Sequence, residues 1–150
     1  MKQLKRLAGK VWRALPQSVR RTLVRTTQKK FTVSVTAVIL NDEGKILLLD
    51  HVLRPSSGWG TPGGFINRGE QPQDAIRREV KEETSLELTR LELVWMRTIE
   101  GHVEIIFRAR AHGELKIESA EIHSAGWFLP SELPEGMSLV QKFVIEKTLS

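Results

Sequence analysis

The apolar residues of this chain follow a helical spacing at its start and a strand spacing after residue 30. The first stripe, with lysine and arginine on the opposite face, consists of Leu4, Leu7, Ala8, Val11, Trp12 and Leu15. A weaker stripe of the same kind follows Pro16 and consists of Val19, Leu23 and Val24. Because proline interrupts a helix, the pattern predicts two short amphipathic helices separated at Pro16.

From Phe31 onward, apolar residues alternate with threonine and serine and then run together at 38–40, which predicts a strand that enters a core. Turn residues at 41–44 and a second apolar run at Lys45–Leu49 predict a hairpin. The later pattern predicts a loop, a helix, two strands, a short strand and a last helix, at Arg54–Gly64, Gln71–Thr84, Leu91–Ile99, Val103–Ala111, Ala125–Leu129 and Met137–Leu149. This order indicates a mixed α/β fold in which helices surround a small mixed β-sheet.

The net charge of +5 is the sum of two regions of opposite sign. Residues 1–30 contain ten lysines and arginines and no acidic residue, which gives a charge of +10. Residues 31–150 contain thirteen basic and eighteen acidic residues, which gives −5. We therefore expect a basic amphipathic helical extension at 1–30 and a separate, acidic domain at 31–150.

The composition excludes several kinds of site. The chain has no cysteine, so disulfides, thiolate zinc sites and a cysteine nucleophile are excluded. No apolar run approaches the roughly 20 residues that cross a bilayer, and both features suit a cytoplasmic protein. Four histidines without a ligand spacing are expected on the surface or in loops: His51, His102, His112 and His123.

Three glutamates crowd one side of the predicted helix. On a helical wheel Glu79 falls inside the apolar stripe, with Glu82 and Glu83 beside it. Glu79 and Glu83 repel each other at a cost of about 0.2–0.5 kcal/mol, and turning a carboxylate toward a core costs more unless it is paired. A divalent cation would reverse both costs, and oxygen ligands alone select Mg²⁺ or Mn²⁺. The alternative is an ordinary solvated face of mixed charge.

A longer pattern surrounds this helix. Gly64 is followed after five residues by Glu70, then after seven residues by Arg-Glu-Val-Lys-Glu-Glu at 78–83, and then by Leu86. The spacing resembles the signature box of the Nudix hydrolases, the MutT-like family, except that Ser85 stands where the family has glycine. A glycine after a helix typically takes the left-handed conformation, which costs serine about 1 kcal/mol. We therefore expect an altered loop geometry at Ser85 rather than lost chemistry.

The resemblance covers the chain from about Phe31 to the C terminus and implies a Nudix-type α/β/α sandwich with a small mixed sheet. It implies a magnesium site, with manganese as the other option, held by Glu79, Glu82, Glu83 and the backbone carbonyl of Gly63. Within the box, Gly64 is a structural position, and Glu70 and Arg78 form a pair that holds the loop against the helix. The proton acceptor is either Glu82 or Glu121, and no substrate-binding residue is assigned.

The implied function is magnesium-dependent hydrolysis of a diphosphate linkage, a phosphoanhydride, in a small molecule. The substrate class is a nucleoside diphosphate derivative such as a nucleoside triphosphate, an oxidised nucleotide, ADP-ribose or a nucleotide sugar. The alternative is a non-catalytic module of the same fold that senses a nucleotide or binds a partner. The intact set of Glu79, Glu82 and Glu83 favours catalysis.

The basic extension has several interpretations. In the first interpretation, the extension packs on the domain or across a homodimer. In the second, it adheres to an anionic membrane surface, and in the third it contacts a nucleic-acid backbone. The sequence shows no base-reading motif, so sequence-specific nucleic-acid binding is not expected. An arginine-rich, acid-free start also fits a mitochondrial targeting segment if the source is eukaryotic.

Overall fold

The protein is described by a computed structural model that covers residues 2–53 and 58–150. Two compact units divide the chain, residues 1–30 and residues 31–150. The first unit contains helix α1 (Lys2–Ala14) and helix α2 (Gln17–Thr27), with Pro16 between them, as the apolar pattern predicts. No helix in the described part of the chain has the length and apolar character needed to cross a bilayer.

The second unit is built on one mixed β-sheet. Its strands and helices within the described residues are β1 (Thr32–Leu40), β2 (Ile46–His51), β3 (Trp59–Gly60), β4 (Gly63–Phe65), α3 (Pro72–Thr84), β5 (Glu87–Ile99), β6 (His102–His112), β7 (Ile122–Phe128) and α4 (Leu139–Leu149). The strand order is β3-β2-β1-β6-β5, while β4 pairs with β1 and β7 pairs with β2. Strands β1 and β6 are parallel, and the other pairs are antiparallel.

Both faces of the sheet are buried, because alternate residues of its central strands point to opposite cores. In β2, Leu47 and Leu49 join the core that contains the apolar side of α3. The neighbouring Ile46 and Leu48 join the second core, which contains the buried side of α4. The predicted α/β/α sandwich with a small mixed sheet is therefore confirmed.

The bounds of several predicted elements differ from the structure, and two differ most. The predicted loop at Arg54–Gly64 contains the short strand β3 and the start of β4, and residues 54–57 of that loop lie outside the described residues. Strand β5 begins at Glu87, before the predicted start at Leu91. Its pairing with β6 shifts register between Thr89 and Glu92, and Arg90 between them has a positive φ of 47°. This bulge interrupts the alternation by which a strand is recognised in sequence.

Ser85 caps the C terminus of α3 in the left-handed conformation, with φ 59° and ψ 0°. Its backbone thus adopts the geometry that glycine favours at this position, and the expected alteration of the loop is wrong. The Ser85 hydroxyl donates a hydrogen bond to Glu118 Oε1 at 2.9 Å, and its carbonyl accepts one from Lys81 Nζ at 3.1 Å. Side-chain contacts therefore offset part of the conformational cost of serine.

Variants of Ser85 should separate the backbone strain from the hydrogen bond to Glu118. We expect Ser85→Gly to raise the free energy of unfolding by about 0.5 kcal/mol, because relief of strain exceeds the lost bond. Ser85→Ala keeps the strain and loses the bond, so it should be less stable than the wild type by about 0.5–1 kcal/mol. Urea denaturation of the three proteins measures this order, and equal stability of the Ser85→Ala variant and the wild type would contradict it.

Candidate active site

A cleft of about 440 Å³ opens between one edge of the sheet and the inner side of α3. Its walls come from the end of β2, from β4 and the loop after it, from α3, and from the turn before β7. The lining residues are His51, Gly63, Gly64, Phe65, Asn67, Arg78, Glu79, Glu83 and Glu121. Residues distant in sequence are thus brought together by the sheet and by the packing of α3 against it.

The three glutamates of α3 differ in their surroundings. The side chain of Glu83 is only 10% exposed and that of Glu79 is 17% exposed, and both line the cleft. The Glu82 side chain is 59% exposed and is not among the lining residues. Helical spacing thus places Glu79 and Glu83 on the inner side, whereas Glu82 lies at the rim and faces solvent.

Arg78 connects the loop before α3 to the carboxylates on the helix. Its Nε donates to Glu70 Oε1 at 2.8 Å, and its Nη2 donates both to Glu70 Oε2 and to the Phe65 carbonyl at 3.1 Å. Its Nη1 donates to Glu79 Oε1 at 2.8 Å and to Glu82 Oε2 at 3.2 Å. One guanidinium group therefore holds the loop in place and orients two of the three glutamates.

The hydrogen bonds between Arg78 and Glu70 shift the pKa of both groups. Hydrogen bonds from Arg78, and next from the backbone N–H of Asn67, lower the pKa of Glu70 from 4.5 to about 2. The hydrogen bond to Glu70 is also the main cause that raises the pKa of Arg78. Both groups therefore stay charged at neutral pH, and the predicted contact between them is present.

The lowered pKa of Glu70 predicts a pH dependence of stability. A carboxylate with a depressed pKa in the folded state stabilises the protein above its ordinary value of 4.5, and that contribution is lost as the pH falls toward about 2. We expect wild-type protein to be more stable than Glu70→Gln at pH 7, with the difference shrinking between about pH 5 and pH 2. Denaturation of both proteins across this range measures it, and a difference independent of pH would contradict the pairing.

Two adjacent glycines allow the loop to approach the sheet and the helix. A Cβ on Gly63, where φ is 155°, would overlap the Val35 carbonyl and lie 2.8 Å from the Thr36 Cα. A Cβ on Gly64 would instead overlap the carboxylate of Glu79. Gly63 therefore permits close backbone packing against β1, and Gly64 leaves the space that the Glu79 carboxylate occupies.

His51 is a cleft residue that the sequence analysis misplaced. It is not a surface or loop residue, because it ends β2 and its side chain is 11% exposed. Its Nδ1 lies 4.0 Å from Glu83 Oε1. The pairing of β2 with β7 changes register between Asp50 and His51, and such an irregularity can turn a side chain toward a site. No local pattern in the sequence signals this contact.

The donor atoms in the cleft suit a hard divalent cation. Glu79 and Glu83 supply carboxylate oxygens, and Gly63 contributes backbone atoms to the lining. The sequence contains no thiol. The absence of a Cβ at Gly64 leaves room for the Glu79 carboxylate. Among residues 2–53 and 58–150, no group of three or more histidine, aspartate or glutamate side chains is arranged to hold a metal ion. The types of donor atom suit Mg²⁺ or Mn²⁺, and Glu82 is the predicted ligand that does not line the cleft.

The second proton-acceptor candidate lies inside the cleft. Glu121 occupies the turn that precedes β7 and lines the same cavity as Glu79 and Glu83. Its carbonyl accepts a hydrogen bond from the N–H of Val52 at 2.9 Å, which ties this turn to the end of β2. All predicted site residues except Glu82 and Glu70 therefore line one cavity, and these two are joined to it through Arg78.

Comparison with known proteins identifies the family of this chain. Residues 30–147 match the NUDIX domain. A MutT-like protein from Streptomyces ambofaciens is 32% identical over 118 residues, which cover 77% of this chain and 75% of that protein. The NAD-capped RNA hydrolase NudC of Vibrio vulnificus is 31% identical over 117 residues, which cover 75% of this chain and 45% of NudC.

A solved structure has the same architecture. The crystal structure of a MutT NUDIX hydrolase from Burkholderia pseudomallei matches with a TM-score of 0.70 and 28% identity, covering 79% of this chain and 98% of that one. The chain therefore belongs to the NUDIX domain family. It is a Nudix-type pyrophosphohydrolase, and it spans three quarters of the MutT-like relative but less than half of NudC.

Proposed function

We propose that this protein is a Mg²⁺-dependent hydrolase of a phosphoanhydride linkage in a nucleoside diphosphate derivative. The observation that carries the proposal is the cleft in which Glu79 and Glu83 face Gly63, Gly64 and Glu121. Manganese is the other cation that this donor set suits. Nucleoside triphosphates, oxidised nucleotides, ADP-ribose, dinucleotides and nucleotide sugars all contain the linkage that such a cleft would cleave.

The proposed metal ligands are Glu79, Glu82, Glu83 and the carbonyl of Gly63. When bound, a divalent cation would neutralise charge on the diphosphate and lower the pKa of a bound water. The protein contributes orientation, because Arg78 fixes Glu79 and Glu82 through one nitrogen while Glu70 fixes Arg78. A carboxylate oriented before the substrate arrives needs little rearrangement during the reaction.

The proposed reaction adds one water across the anhydride. The water oxygen bonds to phosphorus, the bond from that phosphorus to the bridging oxygen breaks, and the released phosphate takes the electron pair. One proton of the attacking water goes to a carboxylate. Glu121 and Glu82 remain the two candidates for that carboxylate: Glu121 lines the cleft, while Glu82 belongs to the helix that carries the other glutamates.

A smaller cleft offers room for the rest of the substrate. It has a volume of about 180 Å³ and shares Gly63, Gly64 and Phe65 with the larger one. The Phe65 side chain is 65% exposed and meets the His102 ring edge to face, with ring centroids 5.9 Å apart. An exposed aromatic ring beside a phosphate-binding cleft can stack on a nucleobase, which favours nucleotide derivatives over inorganic diphosphate.

A panel of substrates tests this function. The full chain is incubated with the five classes of compound in the presence of Mg²⁺, Mn²⁺ or a chelator, and released phosphate and nucleotide are separated by chromatography. Binding of each compound is measured in parallel by calorimetry. We expect metal-dependent turnover of one class. Binding of a nucleotide without turnover of any compound would overturn the proposed hydrolase function and favour the non-catalytic sensor.

For residues 1–30 we propose association with an anionic membrane surface, in a protein that is otherwise cytoplasmic. The charge of +10 and the apolar side of α1 favour this partner over a homodimer, in which two such extensions would repel each other. Co-sedimentation with vesicles is the test. Sedimentation that is unchanged after removal of residues 1–30 would overturn the association and leave the enzymatic proposal untouched.

A further inference from the structure

An open cleft lined by three arginines lies between the two helices of the extension. The cleft has a volume of about 360 Å³ and is lined by Trp12, Gln17, Arg20, Arg21, Val24 and Arg25. Three of these residues are arginines of α2, and at 100° per residue Arg20, Arg21 and Arg25 span an arc of about 140°. Trp12 closes the cleft from α1.

The guanidinium groups of this cleft have no acidic partner within their own segment. Residues 1–30 contain no aspartate or glutamate. The Nε of Arg20 is buried and has no hydrogen-bond partner within residues 2–53 and 58–150. Arginine donates through a rigid fork that matches the oxygens of a phosphate group, and an anion in the cleft would satisfy this donor.

An apolar hollow adjoins the arginine cleft. It has a volume of about 320 Å³ and is lined by Leu7, Ala8, Val11, Trp12 and Leu15. The side chains of Leu7 and Val11 are 60% and 55% exposed. Trp12 borders both cavities, so its ring lies where the apolar surface meets the charged one. In membrane proteins, tryptophan is enriched at the membrane–water interface because its ring is apolar and its N–H is polar.

We propose that the cleft of Arg20, Arg21 and Arg25 is a binding site for the phosphate group of an anionic phospholipid. The apolar side of α1 enters the boundary of the acyl chains, and Trp12 lies at the level of the headgroups. The inference rests on the proposed membrane association and adds a defined site to it. A nucleic acid offers phosphate as well, but its backbone has no acyl surface to cover Leu7 and Val11.

The test uses the full chain and vesicles of phosphatidylcholine that contain about 30% phosphatidylglycerol. Arg20→Gln with Arg25→Gln is compared with Lys2→Gln with Lys5→Gln, which removes the same charge from α1 outside the cleft. A defined site predicts that the arginine pair weakens binding about tenfold more than the lysine pair. An equal loss in both variants would overturn the site and leave only diffuse attraction, whereas removal of residues 1–30 tests the association itself.

Three further measurements identify the ligand that binds in the cleft. The double variant Arg20→Lys with Arg25→Lys keeps the positive charge but loses the planar guanidinium groups that can donate two parallel hydrogen bonds. We expect it to bind the anionic vesicles several-fold more weakly than the wild type. The fluorescence of the wild type should shift to the blue on binding, and this shift should be lost in Trp12→Phe. Tighter binding to a DNA oligonucleotide than to vesicles at equal salt, or a dimer that the arginine pair dissociates, would overturn the lipid site. Unchanged substrate turnover in all variants verifies the fold.

Discussion

Replacement of Glu82 by glutamine is expected to lower turnover by about 10²–10⁴-fold while leaving the stability of the fold nearly unchanged. Glu82 is a proposed metal ligand and one of two candidates for the proton acceptor, so loss of its charge removes chemistry. Its side chain is 59% exposed and accepts a hydrogen bond from Arg78, so little packing is lost. Steady-state kinetics on the substrate that the panel identifies, with denaturation of the same samples, measures both quantities.

Glu92→Gln is the matched control for this variant. The Glu92 side chain is 61% exposed and pairs with Arg108 at 2.9 Å, so it resembles Glu82 in exposure and partner but lies on β5. We expect its turnover to equal that of the wild type. Turnover in Glu82→Gln at the wild-type level would exclude Glu82 from the chemistry, and a loss confined to Glu121→Gln would assign the proton acceptor to the turn before β7.

The adjacent substitutions Gly64→Ala and Gly63→Ala are expected to fail in different ways. The methyl group at Gly64 displaces the Glu79 carboxylate, which is the end of a flexible side chain, so turnover should fall about 100-fold with a stability loss below about 1 kcal/mol. The methyl group at Gly63 meets the backbone of Val35 and Thr36, which cannot move away. That variant should lose about 3 kcal/mol or more of stability.

Gly69→Ala separates backbone strain from displacement of Glu79. Gly69 lies in the same loop with φ at 86°, and a Cβ there would meet no atom within 4 Å. We expect this variant to lose about 1 kcal/mol of stability and to keep its turnover. Wild-type turnover in Gly64→Ala would show that the position of the Glu79 carboxylate does not limit the reaction.

The elements that could be predicted were those with a regular apolar period. Helix α3 begins within one residue of its predicted start and ends at the predicted residue, because its apolar positions are a local signal. Strand β5 was predicted four residues too short, since the bulge at Arg90 depends on pairing with β6 rather than on the residues themselves. The two-residue strand β3 carries too few residues for any period to be visible.

The residues of the candidate site also divide into those that the sequence could predict and those that it could not. Glu79, Glu82 and Glu83 could be found because helical spacing brings them into one arc of α3 and the resemblance to the Nudix box marks the same three residues. The burial of each glutamate could not be ranked, because it depends on where β4 and the turn before β7 meet the helix. The hydrogen bonds of Arg78 to Glu79 and Glu82 likewise depend on a side-chain conformation that Glu70 and the Phe65 carbonyl select.

The sequence by itself determined the mixed α/β character of the fold, the separation of a basic extension from an acidic domain, and the group of carboxylates on α3, since each follows from local spacing and composition; the sandwich architecture was implied by the family resemblance. Only the tertiary structure decided that His51 and Glu121 line the same cleft as Glu79 and Glu83. It also decided that Ser85 adopts the glycine-type conformation with Glu118 as its partner. These contacts join segments far apart in the chain, and their geometry arises from strand pairing and helix packing, which no local pattern encodes.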